Sequence, residues 1–480
     1  MKLKNFIYTI ILLVTFNSCS DWLTVYPKTE MPSNVQFASE QGYKDAVAGV
    51  YTLMKSSTLY GAGLSFTNIE YMASLWDVST DTAPYYLALH QFTNTTAKEI
   101  TDAIYVKQYN VIVNINSILE NIDKDTTIFK TPGTYKLIKG ECLALRAFIH
   151  FDIMRMFGPV PSTGDVGSIK TIPYVTKVSK DINVPITYDE FKTQIFNDFT
   201  EAETLLAGVD PILNYSVKAL KIPSSSGYFA PSDFFVHRII RMNYYAVKAL
   251  QARAYLWYGE KQLAYESALA VINATNPDGT KKFTLGSSDD FANTNYNFPT
   301  EHIFCMYDYS LYKKYSDNFA TGTLKKGSTV ASIKTTMFGN TGTDIRELNL
   351  WELITLSNNT TCHILKKYLV PETPFDLNTD FRQIPVIRLS ELYLIAVEAA
   401  SDQTLWDDFR NTRGIAALTL PADEIALKTA ILMEFRKEFY GEGQLFYLYK
   451  RFNTVKTSIL FYNSSLVVNY VVPLPETELK

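Results

Sequence analysis

The sequence predicts a mainly α-helical protein with tetratricopeptide-like helix pairs and a long loop-rich insertion. Three observations predict it. Apolar residues recur at helical spacing through most of the chain, strands of period two are few, and the helical runs are bounded by capping and breaking residues.

Lys2 and Lys4 open the chain and precede an apolar run over residues 6–16. At roughly 16 Å of helix that run is too short to cross a hydrocarbon core of about 30 Å, so it reads as a secretory signal. Ser18 and Cys19 follow, where a bacterial lipoprotein signal places its cleavage point and the thiol that takes up diacylglycerol. Residues 1–18 are therefore expected to be removed, leaving Cys19 as a lipidated first residue. No later segment reaches 18 consecutive apolar residues, so the lipid is the expected membrane attachment. Residues 19–480 are expected to form a single compound domain, with a helical scaffold at about 35–275 and 384–452 and a loop-rich region at about 276–383.

Within the scaffold, helical spacing runs over 106–122 and 135–157, and Gly158-Pro159 stops the second run. Thr187 and Glu190 have capping-box spacing for a helix reaching Leu206. Over 239–258 a stripe of Met242, Tyr245, Ala246, Ala249, Leu250, Leu256 and Trp257 predicts a long helix, paired through Gly259 with one over 264–272. Between about 275 and 380 Asn, Asp, Gly, Ser and Thr become frequent and the periodicity fades. Helices are expected again over 388–400, 405–412, 423–440 and 444–451, followed by an extended, proline-ended segment over 466–475.

Several classes of function are excluded by composition. A net charge of -4 with no block of Lys or Arg leaves no footprint for nucleic acid. Cys142, Cys305 and Cys362 have no CxxC spacing, and His90, His150, His237, His302 and His363 show no metal-ligand spacing. Neither a phosphate-cradling glycine loop nor a Gly-x-Ser-x-Gly elbow is present, so no metal and no cofactor is expected. The unusual quantity is aromatic content, 14%, with 32 Tyr against 29 Phe. Tyrosine has an apolar body and a polar tip, which suits half-exposed surfaces.

Residues 141–148, Glu-Cys-Leu-Ala-Leu-Arg-Ala-Phe, followed by Phe157-Gly158-Pro159-Val160-Pro161, resemble the signature of the SusD/RagB family. So do Ile384 through Glu391 and Glu398-Ala399, then Asn411-Thr412-Arg413-Gly414. Glu434, Arg436, Glu438, Glu442-Gly443-Gln444 and Lys450-Arg451 are similar to its C-terminal block, and Val472-Pro473-Leu474-Pro475 to its extended ending. Asp21-Trp22-Leu23 and Pro27 match a tract near the mature start. Phe435, Leu445 and Leu448 depart from that block, where the family carries an Arg, an Arg and an Asp, and mark a divergent subgroup. The resemblance implies an outer-membrane, lipid-anchored, non-catalytic protein of Bacteroidota. It would face the cell exterior, dock on a SusC-like TonB-dependent transporter and capture glycans or other nutrients. An all-α envelope glycoside hydrolase and a helical-repeat scaffold without small-molecule ligand are the alternatives.

Arg146, Arg388, Glu391 and Glu398 are expected to be structural, with Arg388 and Glu391 pairing three residues apart on one helix. A sugar offers an apolar face and a rim of hydroxyls, so its site wants aromatic platforms beside polar groups. Two loops have that composition: one holds Trp76, Asp81, Tyr85 and Tyr86, the other Tyr296, Tyr309 and Tyr312.

Overall fold

A computed structural model describes residues 32–222, 228–370 and 379–479. The expected signal and Cys19 lie outside the described residues. The chain is mainly α-helical.

The first layer is built from α1 (Glu40–Met54), the short α2 (Ala83–Ala88), α3 (Thr95–Ile122), α4 (Thr134–Phe157) and α5 (Tyr188–Leu206). Helix α3 begins eleven residues before its hydrophobic spacing becomes obvious. Its first buried positions are the small or polar Ala97 and Thr101, which carry little hydropathy, and the Asn94 side chain caps it. Helix α4 packs against α1, α3 and α5 and is buried all round from Gly140 to Phe157. Gly140 permits that closeness, since a Cβ there would sit 2.8 Å from Leu206 Cγ. Thr187 and Glu190 form the capping box of α5.

The second layer holds α6 (Tyr244–Trp257) and α7 (Lys261–Ile272). The predicted stripe on α6 is buried, but the helix starts at Tyr244, not 239. Buried Asn243 breaks the run: its Oδ1 accepts the Ala246 amide at 2.9 Å, while its Nδ2 donates to the carbonyls of Arg238 and Ile303.

In the loop-rich region, β1 (His302–Tyr307) is followed by α8 (Leu311–Tyr315), then β2 (Trp351–Thr355) and β3 (Thr361–Leu365), which pair antiparallel as a hairpin. Strand β4 (Gln383–Arg388) pairs antiparallel with β1, Cys305 opposite Pro385. Both β1 and β4 are buried on both faces, so neither shows the alternation that marks a half-exposed strand. The chain then returns to the helical body through α9 (Leu389–Ala400), α10 (Gln403–Thr412), α11 (Glu424–Glu438) and α12 (Leu445–Phe452). Helix α9 packs against α6, α7, α10 and α11, so it ties the second layer to the C-terminal helices.

Arg388 corrects one expectation. It is the last residue of β4 and the extended N-cap of α9, with φ -139° and ψ 165°, so the three-residue helical spacing to Glu391 does not apply. Instead its guanidinium reaches Glu438 at 2.6 Å, Glu301 at 2.8 Å and Glu442 at 2.8 Å. Glu391 pairs with Arg253 of α6 through two bonds of 2.6 and 2.7 Å. Around Arg388 lies a buried charge cluster: Glu438 also accepts from Arg346 and Arg413, and Glu442 from Lys367. Burial pushes the Glu438 carboxyl up, but Arg413, Arg388 and Arg346 overrule it and hold the group well below the usual carboxylate range. Arg146 on α4 grips Asp198 of α5 with two bonds of 2.7 Å, and Glu398 pairs with Arg451 of α12. The departing residues Phe435, Leu445 and Leu448 are buried; Phe435 packs on Phe439 at 4.4 Å, and the cluster runs through the glutamates beside them.

Candidate functional site

Trp76 does not stand on a surface. It is 2% exposed, its indole N–H donates to the Phe66 carbonyl at 2.9 Å, and its ring packs edge-on against Tyr440 and Phe319 at 5.0 and 5.9 Å. This corrects its assignment as a ligand platform. The large apolar ring has partners from three distant segments, and the loop that follows it is what reaches solvent.

That loop is fastened at its start. Exposed Asp77 accepts the Gly327 amide at 2.7 Å and pairs with Lys326 Nζ at 3.0 Å, while its own amide donates to Lys325. Thr82 caps α2, with Pro84 in its first turn. Asp81 adopts a left-handed backbone, φ 62°, and accepts the Tyr86 hydroxyl at 2.5 Å. This bond to Asp81 raises the Tyr86 phenol's pKa. Tyr85 and Tyr86, both half-buried, meet edge to face at 5.6 Å.

The second stretch is fastened too. Asp308 accepts the Ser310 amide and hydroxyl and pairs with Lys314 at 2.7 Å, and Lys314 also donates to the Gly61 carbonyl. Tyr309 and Tyr312 project from this turn and are 58% and 49% exposed. The Arg382 guanidinium lies 4.5 Å from the Tyr309 ring centre. Tyr296 is half-buried with Lys366 Nζ 4.8 Å from its ring centre. Burial pushes the neighbouring Tyr315 phenol up, and Glu352 and Tyr296 push the same way.

The two stretches share one buried aromatic floor: Trp76 meets Phe319, and Phe319 stacks on Tyr315 at 5.6 Å. Above it their exposed rings stay separate. Among the described residues neither Tyr85 nor Tyr86 makes a ring contact with Tyr296, Tyr309 or Tyr312. Sequence reasoning missed Lys326, Lys366, Arg382 and Trp351, each brought in from more than 50 residues away. A flat ring beside a cation and a carboxylate can stack on C–H groups while neighbouring polar atoms bond hydroxyls.

One buried carboxyl has the titration of a general acid but not the access. Glu70 has its pKa raised by burial to about 8, the range of a general acid, but it is fully enclosed and its oxygens accept the Gly441 and Gly443 amides. Among the described residues no group of three His, Cys, Asp or Glu could hold a metal ion, and no helix is long and apolar enough to cross a membrane.

Two family models match this chain, one described as starch-binding associating with outer membrane over residues 21–219, the other as SusD family over 305–470. A SusD-like protein of Formosa agariphila is 24% identical over 218 residues, 44% of this chain; the match spans 39% of that relative's length. A SusD superfamily protein of Bacteroides thetaiotaomicron superposes with a TM-score of 0.65 at 21% identity, over 92% of this chain and 98% of its own. A laminarin binding SusD-like protein superposes with a TM-score of 0.59 at 17% identity, over 92% and 97%.

Proposed function

The chain belongs to the SusD/RagB family, and on that premise we propose that it is a cell-surface glycan-binding lipoprotein, anchored through Cys19 in the outer membrane. It captures oligosaccharide on the loop face and delivers it to a partner SusC-like TonB-dependent transporter, without catalysing turnover. The observation that carries this reading is the pair of exposed rings, Tyr309 and Tyr312, on a turn tied down by Asp308 and Lys314 and flanked by Arg382. Tyr85, Tyr86, Asp81 and Tyr296 form the flanking contacts.

Such a face is shallow, so affinity lies between micromolar and millimolar, roughly -8 to -4 kcal/mol. Holding ligand beside a transporter mouth works at that strength, because local capture raises effective concentration. The test titrates wild type, Tyr309→Ala, Tyr312→Ala and Tyr85→Ala with laminarin, starch and xylan oligosaccharides by calorimetry. Binding without product release, weakened about tenfold by loss of a stacking ring, is expected. Release of shorter sugars would instead establish a hydrolase, and binding unchanged in all three variants would move the site elsewhere.

A further inference from the structure

Four helices of the first layer share one end: α1 and α4 start there, and α3 and α5 finish there. The Thr131 amide donates to Glu40, the first residue of α1, at 2.8 Å. The Tyr135 hydroxyl and Lys139 of α4 reach Asp123, the C-cap of α3, at 2.6 and 2.8 Å. A Cβ on Gly140 of α4 would meet Leu206, the last residue of α5. The described chain begins at this end too, where the Gln36 side chain donates to the Gly42 carbonyl of α1.

Two excursions project from the same end. Residues 170–187 open at the Lys170–Thr187 bridge and follow α3 toward its finish: the Pro173 carbonyl accepts from Tyr109, the Val175 carbonyl accepts from Asn116, and the Val178 amide donates to Glu120. From Tyr109 to Glu120 is about 16 Å of helix, so the tip beyond Val178 stands at the shared end. Residues 207–222 and 228–236 are fastened there as well. Gly133 lies against Val209 and Phe235, and Ser232 accepts from Lys44 of α1 at 3.3 Å.

What these segments expose is apolar and basic. Phe229 is 93% exposed and Ile182 86%, the highest values of any large apolar side chain among the described residues, and Val35, Val178, Val184 and Ile222 are exposed on the same segments. Among them stand Lys124, Lys130, Lys177, Lys180 and Lys218, all exposed and none in an ion pair among the described residues. The neighbouring Asp125 and Asp181 are turned back onto Thr127 and Ser179. Side chains such as Phe229 gain by leaving water, and lysines without a carboxylate partner are drawn to phosphate. Protein interfaces, by contrast, are depleted in lysine.

We propose that this end of the body rests on an anionic lipid surface, with Phe229 and Ile182 entering the headgroup layer and the lysines meeting lipid phosphates. Cys19 lies thirteen residues before Pro32, at most about 45 Å of extended chain, so a lipid on Cys19 keeps this end within that distance of the leaflet. The inference rests on the anchored reading of Cys19 and not on Tyr309 or Tyr312. Those rings lie beyond the other end of α1, where Lys314 holds the Gly61 carbonyl, so contact at the first end leaves the loop face uncovered.

The test takes the mature chain, residues 19–480, and couples the Cys19 thiol to a maleimide lipid, so that the tether exists whether or not the cell acylates that residue. Acylation is read separately, by fatty-acid labelling. Cys142, Cys305 and Cys362 are buried and do not compete for the maleimide. Amide hydrogen exchange is then compared for the chain free in solution, tethered to protein-free vesicles of phosphatidylethanolamine with phosphatidylglycerol, and tethered to vesicles of phosphatidylcholine. On the anionic vesicles exchange slows about threefold or more over residues 123–133, 176–184 and 228–236, less on phosphatidylcholine, and stays unchanged over 308–315. Phe229→Ser combined with Ile182→Ser, both at exposed positions, removes most of that protection. Protection absent from the three segments would leave this end for a protein partner and overturns the inference. So does protection equal on the two lipid compositions, undiminished in the serine variant, or confined to 308–315.

Discussion

Replacing Arg388 by Met removes the centre of the buried charge cluster while keeping a side chain of similar length. The wild-type guanidinium is 1% exposed, bonds Glu301, Glu438 and Glu442, and also donates to the Glu438 carbonyl at 2.8 Å and to the Ser390 hydroxyl. Breaking a buried ion pair by removing one partner costs about 3 to 5 kcal/mol, because charge is left without compensation. The lower half of that range applies here: Glu301 keeps Arg413, Glu438 keeps Arg346 and Arg413, and Glu442 keeps Lys367. Unfolding entropy of about 2 cal/mol/K per residue makes a chain of this size lose about 1 °C for each kcal/mol, so the midpoint falls by about 3 to 4 °C. The assay is calorimetric unfolding beside glycan titration at a temperature well below the transition. An unchanged midpoint with weakened binding would refute the reasoning, since it would make the cluster part of a ligand site and not a brace.

Three further outcomes are expected. Trp76→Ala lowers stability by about 3 to 5 kcal/mol through the cavity left among Phe319, Trp351 and Tyr440; a variant with wild-type unfolding would put the ring back on a surface. Metabolic labelling with a radioactive fatty acid marks the wild type and not Cys19→Ala, and label retained in the variant would end the anchor proposal. Glu70 makes stability fall as pH rises: its folded pKa of about 8 exceeds the unfolded value near 4.5, so the folded chain holds a proton the unfolded chain has lost between them. That contribution is complete below about pH 4.5 and gone above about pH 8, roughly 3 to 5 kcal/mol in all. The difference between wild type and Glu70→Gln across pH 5 to 8 isolates it from His90 and His150, which burial lowers to about 4 and about 3. Parallel pH profiles for the two proteins would show that Glu70 is ionised throughout.

What could be read from the sequence was what neighbouring residues decide. Thr187 and Glu190 announce the start of α5 because a capping box closes within four residues. The stripe from Tyr245 to Trp257 announces a buried helix face for the same reason. Arg388 shows the limit: three-residue spacing to Glu391 suggests a pair only if both lie on a helix, and its actual partners stand 50, 54 and 87 residues away. Trp76 fails in the same manner, because its burial depends on Phe319, Trp351 and Tyr440, and no local pattern distinguishes a ring under a loop from one above it.

Under the proposed function, the loop face gains from this long-range fastening. Tyr309 and Tyr312 lie on a turn whose Asp308 is 3% exposed and ion-paired with Lys314, which in turn holds the Gly61 carbonyl; Asp77 locks the Trp76 loop to Lys326 and Gly327. Backbone that is already fixed loses little freedom when a ligand lands, so most of the stacking energy survives as affinity. Exposed rings on untethered loops would spend it on ordering themselves. Under the proposed function the buried aromatic floor serves binding without touching the ligand: Trp76, Phe319 and Tyr315 underlie two separately fastened loops, and Tyr309 and Tyr312 are the rings left most exposed.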